Sequence, residues 1–221
     1  MIEKRKIIFG TYDTAEEGLW TLTGWVLSDA EQKTEYWDIP GGSGHLDAST
    51  VLTDGEPVYN SRTLTATFEC SEGTRLERED RISRMVNWLD GWRMNIILPD
   101  DPLHYITGRV HVARLYNDPA HASVQVTATC DPWRYNVTET AVGLQATAAE
   151  QTTALINNGR RSMVPTLTIT GGDVLLAAGA ASWALSAGVY TLPDLYLRPG
   201  STPIRYSGTG TLLVTYREAV L

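Results

Sequence analysis

Residues 63–98 read TLTATFECSEGTRLEREDRISRMVNWLDGWRMNIIL. The segment opens with strict alternation. Leu64, Ala66 and Phe68 share one face and threonines occupy the other, the period of a half-buried strand. Thr74-Arg75-Leu76-Glu77 is a capping box, in which hydroxyl and carboxylate satisfy orphan N–H groups. Ile82, Met85, Val86 and Leu89 then recur at helical spacing, with Trp88 at the edge of the stripe. Glu77 with Arg81 and Asp80 with Arg84 stand four apart on the wet side. Gly91 is placed to end the helix in a left-handed cap. The pattern predicts one helix, Arg75 to Asp90, set between strands.

Outward from this segment the chain reads as strand. Trp20–Thr23 and Trp25–Leu27 flank Gly24, a bulge or bend. Met94–Leu98, Thr107–Tyr116 and Ser123–Cys130 alternate, and Asn117-Asp118-Pro119-Ala120 has turn chemistry. Pro99-Asp100-Asp101-Pro102 is a rigid acidic corner. In EYWDIPGGSGHLDAST, residues 35–50, the centre Pro40-Gly41-Gly42-Ser43-Gly44 reads as a hairpin tip or a loop. In ATCDPWRY, residues 128–135, the alternation breaks. Pro132 has no N–H to donate, so the strand is expected to stop there. Beyond it come short strands punctuated by glycine, with hairpin patterns across Gly171-Gly172 and a turn at Ser207–Gly210. Two domains are expected, 1–134 with the helix and 135–221 as a smaller β-sandwich.

Composition narrows the function. A chain of 221 residues with 43% hydrophobic and 20% charged residues buries a core without disulfides or metal. Cys70 and Cys130 both end alternating runs and read as small buried hydrophobes. The start, MIEKRKIIFG, is charged first and is no signal peptide, and no apolar run spans a membrane, so synthesis in the cytoplasm with free thiols is expected. A net charge of −8 does not recruit nucleic acid through counterion release.

Chemistry is sparse. PGGSGHLD lacks the lysine and following helix of a phosphate loop. His45, His104, His111 and His121 have no metal-ligand spacing, and Asp100 with Asp101 makes no acid/base pair across a substrate. Ser43 lacks the strand-to-helix elbow of a nucleophile. No catalytic residue, cofactor or metal is expected. Trp183, Tyr190, Tyr196 and Tyr206 either fill a core or offer sugar rings a platform, which leaves a carbohydrate-binding accessory module as the alternative function.

The order of landmarks resembles the distal tail proteins (Dit) of long, non-contractile-tailed bacteriophages. IPGGSGHLDAS (39–49) precedes Tyr59-Asn60-Ser61-Arg62. GTRLEREDRISRMVNWLDGW (73–92) follows, and then Asp131-Pro132-Trp133-Arg134-Tyr135. Asn157-Asn158-Gly159, Pro165 and YLRPGSTPIRYSGTGTLLVTYRE (196–218) look like the family's small C-terminal domain. The resemblance implies a mainly β fold: a tail-tube-like N-terminal β-sandwich with one packed helix and a hairpin arm, then a small galectin-like sandwich. It implies a structural protein of the virion tail tip, assembled in the host cytoplasm. Six copies would form a ring joining the tail tube to the baseplate hub, with tail-tube protein, tape-measure protein and hub or spike protein as partners. DNA would cross the ring without specific binding, past a channel wall of acidic residues, and nothing would insert in a membrane. Residues 135–221 leave little room for the inserted carbohydrate-binding modules of some members.

Within that picture Glu35–Thr50 is the candidate arm that pairs with a neighbouring subunit. Trp37, Pro40, Gly41, Gly42, Gly44, Asp47 and Arg62 are its interface residues. Arg62 either braces the arm by pairing with Asp47, or the two are separate surface charges. Asp131, Pro132, Trp133 and Tyr135 form the expected joint, with both aromatics wedged between the domains.

Overall fold

The structure, a computed structural model, describes residues 5–17, 19–53 and 55–221. Met1–Lys4, the charged start on which the leader argument leaned, lie outside the described residues. The chain forms two compact units, Met1–Arg134 and Tyr135–Leu221. The fold class is the expected one, mainly β, with 54% strand and 9% helix in curled sheets.

The first unit contains β1 (Ile8–Phe9), β2 (Tyr12–Asp13), α1 (Thr14–Glu17), β3 (Thr21–Leu27), β4 (Tyr36–Asp38) and β5 (His45–Asp47). It continues with β6 (Arg62–Cys70), α2 (Arg75–Leu89), β7 (Arg93–Leu98), β8 (Asp101–Asn117) and β9 (Ala122–Asn136). One sheet runs β2-β1-β7-β8-β9-β6-β3. Its ladder between β6 and β9 runs from Arg62↔Cys130 to Cys70↔Ala122. Leu64, Ala66 and Phe68 meet Ala128, Val126 and Val124 across it, all buried. Ile82, Met85 and Leu89 of α2 complete the same core. The register of β3 on β6 shifts between Leu22 and Gly24, the bulge that the glycine signalled.

The helix ends follow the sequence closely. Thr74 and Glu77 make the reciprocal capping box, and Gly91 sits at φ +80°, the left-handed region where a side chain is strained. Arg84 pairs with Asp80 at 2.5 Å. The expected Glu77–Arg81 pair is not the arrangement found. Glu77 turns back to the Thr74 N–H at 2.6 Å, while Arg81 donates to the Glu72 carbonyl at 2.8 Å. A carboxylate at the helix start gains more from orphan donors than from an exposed cation.

Three carboxylates share that logic. The Thr74 N–H holds the Glu77 carboxyl below its usual range, the Val112 N–H does so for Asp90, and the His121 and Ala120 N–H groups for Asp118. Their pKa is depressed by folding, so their contribution is present above the unfolded value of about 4 and is lost as pH falls through the folded values. The thermal midpoint is therefore expected to be level from neutral pH to about 5 and to fall below about 4; a midpoint unchanged down to pH 3 would contradict these assignments.

Pro132 does not end its strand. β9 runs on to Asn136. The ladder with β6 is already over at Cys130, so Pro132 falls where no β6 partner calls for an N–H.

The second unit holds β10 (Thr140–Gln145), β11 (Gln151–Asn157), β12 (Thr166–Thr170), β13 (Val174–Ala178), β14 (Ala181–Leu185), β15 (Gly188–Thr191), β16 (Gly200–Gly208) and β17 (Thr211–Tyr216). Two antiparallel sheets, β10-β17-β12-β15 and β11-β16-β13-β14, form the sandwich. Leu167, Ile169, Leu212 and Val214 of one sheet pack with Leu155, Leu176, Ile204 and Tyr206 of the other in one core. The glycine turns at 171–172 and 208–210 are not hairpins, because each carries the chain from one sheet to the other. They meet at one end of the sandwich, where Thr209 N–H donates to the Asp173 carbonyl at 2.9 Å. Gly208 has φ +140°, and a Cβ there would lie 2.1 Å from the Asp173 oxygen. Gly208→Ala is expected to cost about 3 kcal/mol in denaturant unfolding of the full chain; a loss below about 1 kcal/mol would show that this turn can shift.

Candidate assembly surface

The arm grows from the margin of the large sheet. At its base Ser28 N–H donates to the Thr63 carbonyl at 2.9 Å, and the Ser28 hydroxyl accepts from Thr63 N–H at 2.8 Å. Further out its two legs pair. Lys33 N–H donates to the Val58 carbonyl, Asn60 N–H to the Glu31 carbonyl, and Gln32 bridges Tyr59. Beyond the legs β4 and β5 make a separate two-stranded ribbon, with Tyr36↔Asp47, Trp37↔Leu46 and Asp38↔His45. Gly41 and Gly44 take the left-handed backbone at its tip, at φ +76° and +83°. The glycine cluster of the sequence therefore is a hairpin tip.

The ribbon has two unlike faces. Alternation puts Trp37, Leu46 and Ile39 on one side, and all three are exposed, Trp37 at 56% and Leu46 at 52%. The Trp37 indole donates to Glu35 at 2.8 Å. The other side carries Tyr36, Asp38, His45 and Asp47, with His45 Nδ1 2.8 Å from Asp38. Hydrogen bonds from Ser49 hold the Asp47 carboxyl below its usual range. Val51 and Leu52 add exposed apolar surface just beyond, Leu52 at 97%. An isolated two-stranded ribbon is marginal in water, and this one leaves its apolar face uncovered.

Charge is concentrated on the same segment. Residues 28–61 carry seven carboxylates against one lysine, whereas the second unit has five carboxylates and five arginines and is neutral. Most of the net −8 therefore lies on the arm. Outside it, the sheet face opposite the core pairs Thr63 with Thr129, Thr65 with Thr127 and Thr67 with Gln125.

Arg62 does brace the arm, but not through Asp47. Its Nε donates to the Ser28 carbonyl at 2.7 Å from a buried position, and burial pulls the guanidinium pKa down. Asp47 instead accepts from Ser49 N–H at 2.9 Å. The two residues do not pair, and only Asp47 is a surface charge, since Arg62 is buried. Nothing in the spacing of Arg62 and Ser28 showed their pairing, which depends on the arm leaving and rejoining the sheet at neighbouring points.

The expected joint residues have partners of their own. Trp133 is buried and meets the Tyr59 ring edge-on, centroids 5.3 Å apart, which ties the returning leg of the arm to the first unit. Asp131 pairs with Arg93 at 2.5 Å. In the second unit the Tyr135 hydroxyl accepts from Arg161.

The aromatic platform does not assemble. Tyr206 is buried, while Trp183 and Tyr190 pack against the sandwich core; of the four candidates Tyr196 alone is exposed. Among the described residues no cluster of His, Cys, Asp and Glu could hold a metal ion, and no helix is long and apolar enough to cross a membrane. Both cysteines are buried, and desolvation pushes the Cys130 thiol up to about 11.

Neither a family model nor a curated protein sequence matches the chain. Among solved structures it is similar to SPP1 Dit (gp 19.1), described as a paradigm of the hub adsorption apparatus in phages that infect Gram-positive bacteria. The match has a TM-score of 0.69 at 16% sequence identity, and covers 97% of this chain and 99% of that one. The expected likeness to a distal tail protein is thus found at the level of the fold.

Proposed function

We propose that this protein is a structural subunit of the tail tip of a long-tailed bacteriophage, and that six copies close into a ring between the tail tube and the baseplate hub. The observation that carries the reading is the exposed ribbon, apolar on one face and mounted on a braced stem. In a ring each ribbon is covered by the next subunit, and closure leaves no subunit with a bare arm. The fold shared with a phage hub protein supports the same role. The tail-tube, tape-measure and hub or spike proteins are the partners this role requires. Assembly takes place in the host cytoplasm.

The proposed channel reading changes in detail. Most of the net negative charge lies on the arm, and the outer face of β6 and β9 carries threonines rather than a wall of carboxylates. The threonine rows of β6 and β9 turn neutral hydroxyls toward passing DNA, with Arg93 and Arg109 bordering them at Thr129. The test is immunogold electron microscopy of virions. Label at the distal end of the tail tube supports the role, and label confined to the capsid or absent from virions rejects it.

A further inference from the structure

Helix α2 carries one large side chain that its apolar stripe does not bury. Ile82, Met85 and Leu89 are inside, while Trp88 beside them is 56% exposed. Its indole leans on the buried Tyr12 ring, with centroids 6.4 Å apart and planes inclined by 40°. Tyr12 belongs to the core of the first unit, so the indole is braced from behind while much of its surface stays in water. The two rings, with Thr11, Glu17, Arg84 and Asn87, line an open cavity of about 520 Å³.

The polar groups around the indole are largely unspent. Arg84 pairs with Asp80. Among the described residues, the side chains of Thr11, Glu17 and Asn87 and the Trp88 indole N–H have no hydrogen-bond partner in the protein. The indole N–H and the Asn87 amide donate; the Glu17 carboxylate, the Asn87 carbonyl and the Thr11 hydroxyl accept. Charge and polarity choose the occupant. An anion would meet Glu17, and a cation would meet Arg84. A wholly apolar group would take water from these side chains and return no hydrogen bond. A neutral sugar ring matches both parts of the cavity. Its C–H face packs on the indole, and its hydroxyls, each donor and acceptor, answer the groups around it.

We propose that this cavity binds a neutral saccharide, with Trp88 as the platform and Asn87 and Glu17 as partners of its hydroxyls. The site is complete within one chain, so the proposal stands apart from the ring.

The test is saturation-transfer NMR on the full chain with neutral probes: glucose, galactose, mannose and N-acetylglucosamine, each as the free sugar and as a disaccharide. Transfer to at least one probe is expected. Trp88→Ala is expected to weaken its affinity about tenfold or more, and Asn87→Ala about fivefold, the loss of hydrogen bonds to one hydroxyl. Asn87 is exposed, so its variant keeps the fold whatever the indole contributes to stability. Tyr196→Ala, which removes the exposed tyrosine of the second unit, is expected to leave binding unchanged. Absence of transfer to every probe overturns the proposal, and so does wild-type affinity in Trp88→Ala or Asn87→Ala. Loss of transfer in Tyr196→Ala alone would place the sugar on the second unit and overturn it as well.

Discussion

Replacing Trp37 and Leu46 together by serine is expected to leave a folded monomer that no longer assembles. The two side chains face each other across the β4–β5 ribbon, and both are half exposed in the single chain. They contribute little to its own core, which lies in the large sheet and under α2. The thermal midpoint should therefore stay within a degree or so of the wild type, as for other surface changes of about 0.5 kcal/mol or less. In an interface the same pair would be a central aromatic and aliphatic anchor. Anchors of that kind cost about 2 kcal/mol or more each when truncated. Subunit association is then expected to weaken on the order of a hundredfold or more. Sedimentation over a concentration series reads this directly. A variant that assembles at wild-type concentrations would remove the arm from the account.

Arg78→Met is expected to produce the largest loss of stability among changes to the helix. Arg78 is 2% exposed, although Arg75 and Arg84 of the same helix face water. Its Nη1 donates to the Gly73 carbonyl at 2.6 Å, and its Nη2 to the Asp118 and Pro119 carbonyls at 2.8 and 3.0 Å. One guanidinium thus ties the helix start to the turn between β8 and β9. Methionine fills similar space but leaves three carbonyls without their donor, at a cost of about 3 kcal/mol. Lysine keeps the charge and loses the fork, so Arg78→Lys should recover only part of it. Denaturant unfolding of both variants checks the order. Equal stability of wild type and Arg78→Met would mean that the turn holds without this residue.

The hairpin arm and Arg78 show what the sequence could and could not disclose. The helix between Thr74 and Gly91 was legible because cap chemistry and a 3.6 period are local properties, and the structure has them where the residues put them. The hairpin was legible for the same reason, since a glycine tip between aromatic flanks has few other uses. Arg78 was not singled out, because burial of an arginine depends on carbonyls forty residues away. Pro132 was misread because its local preference is real, while its cost depends on where the neighbouring ladder stops. The glycines at 171–172 and 208–210 announced turns correctly. Which sheet receives the next strand is decided by packing across the sandwich, and no turn residue records it. Arg109 looked like an ordinary surface position until the register placed Arg93 opposite it.

Charge also read differently once placed in the fold. A net −8 spread over the chain suggests solubility, or an acidic wall. Concentrated on residues 28–61, it suggests recognition by a basic partner and a dependence of assembly on salt. The neutral second unit has no such dependence to offer.

The measurement that tests the central claim most directly is the mass of the purified protein by light scattering behind size exclusion, with negative-stain images of the same peak, alone and after mixing with tail-tube protein. The account predicts closed rings of six subunits, lost in the Trp37→Ser/Leu46→Ser variant. A monomer under both conditions, or rings that form equally well without the arm side chains, would contradict it.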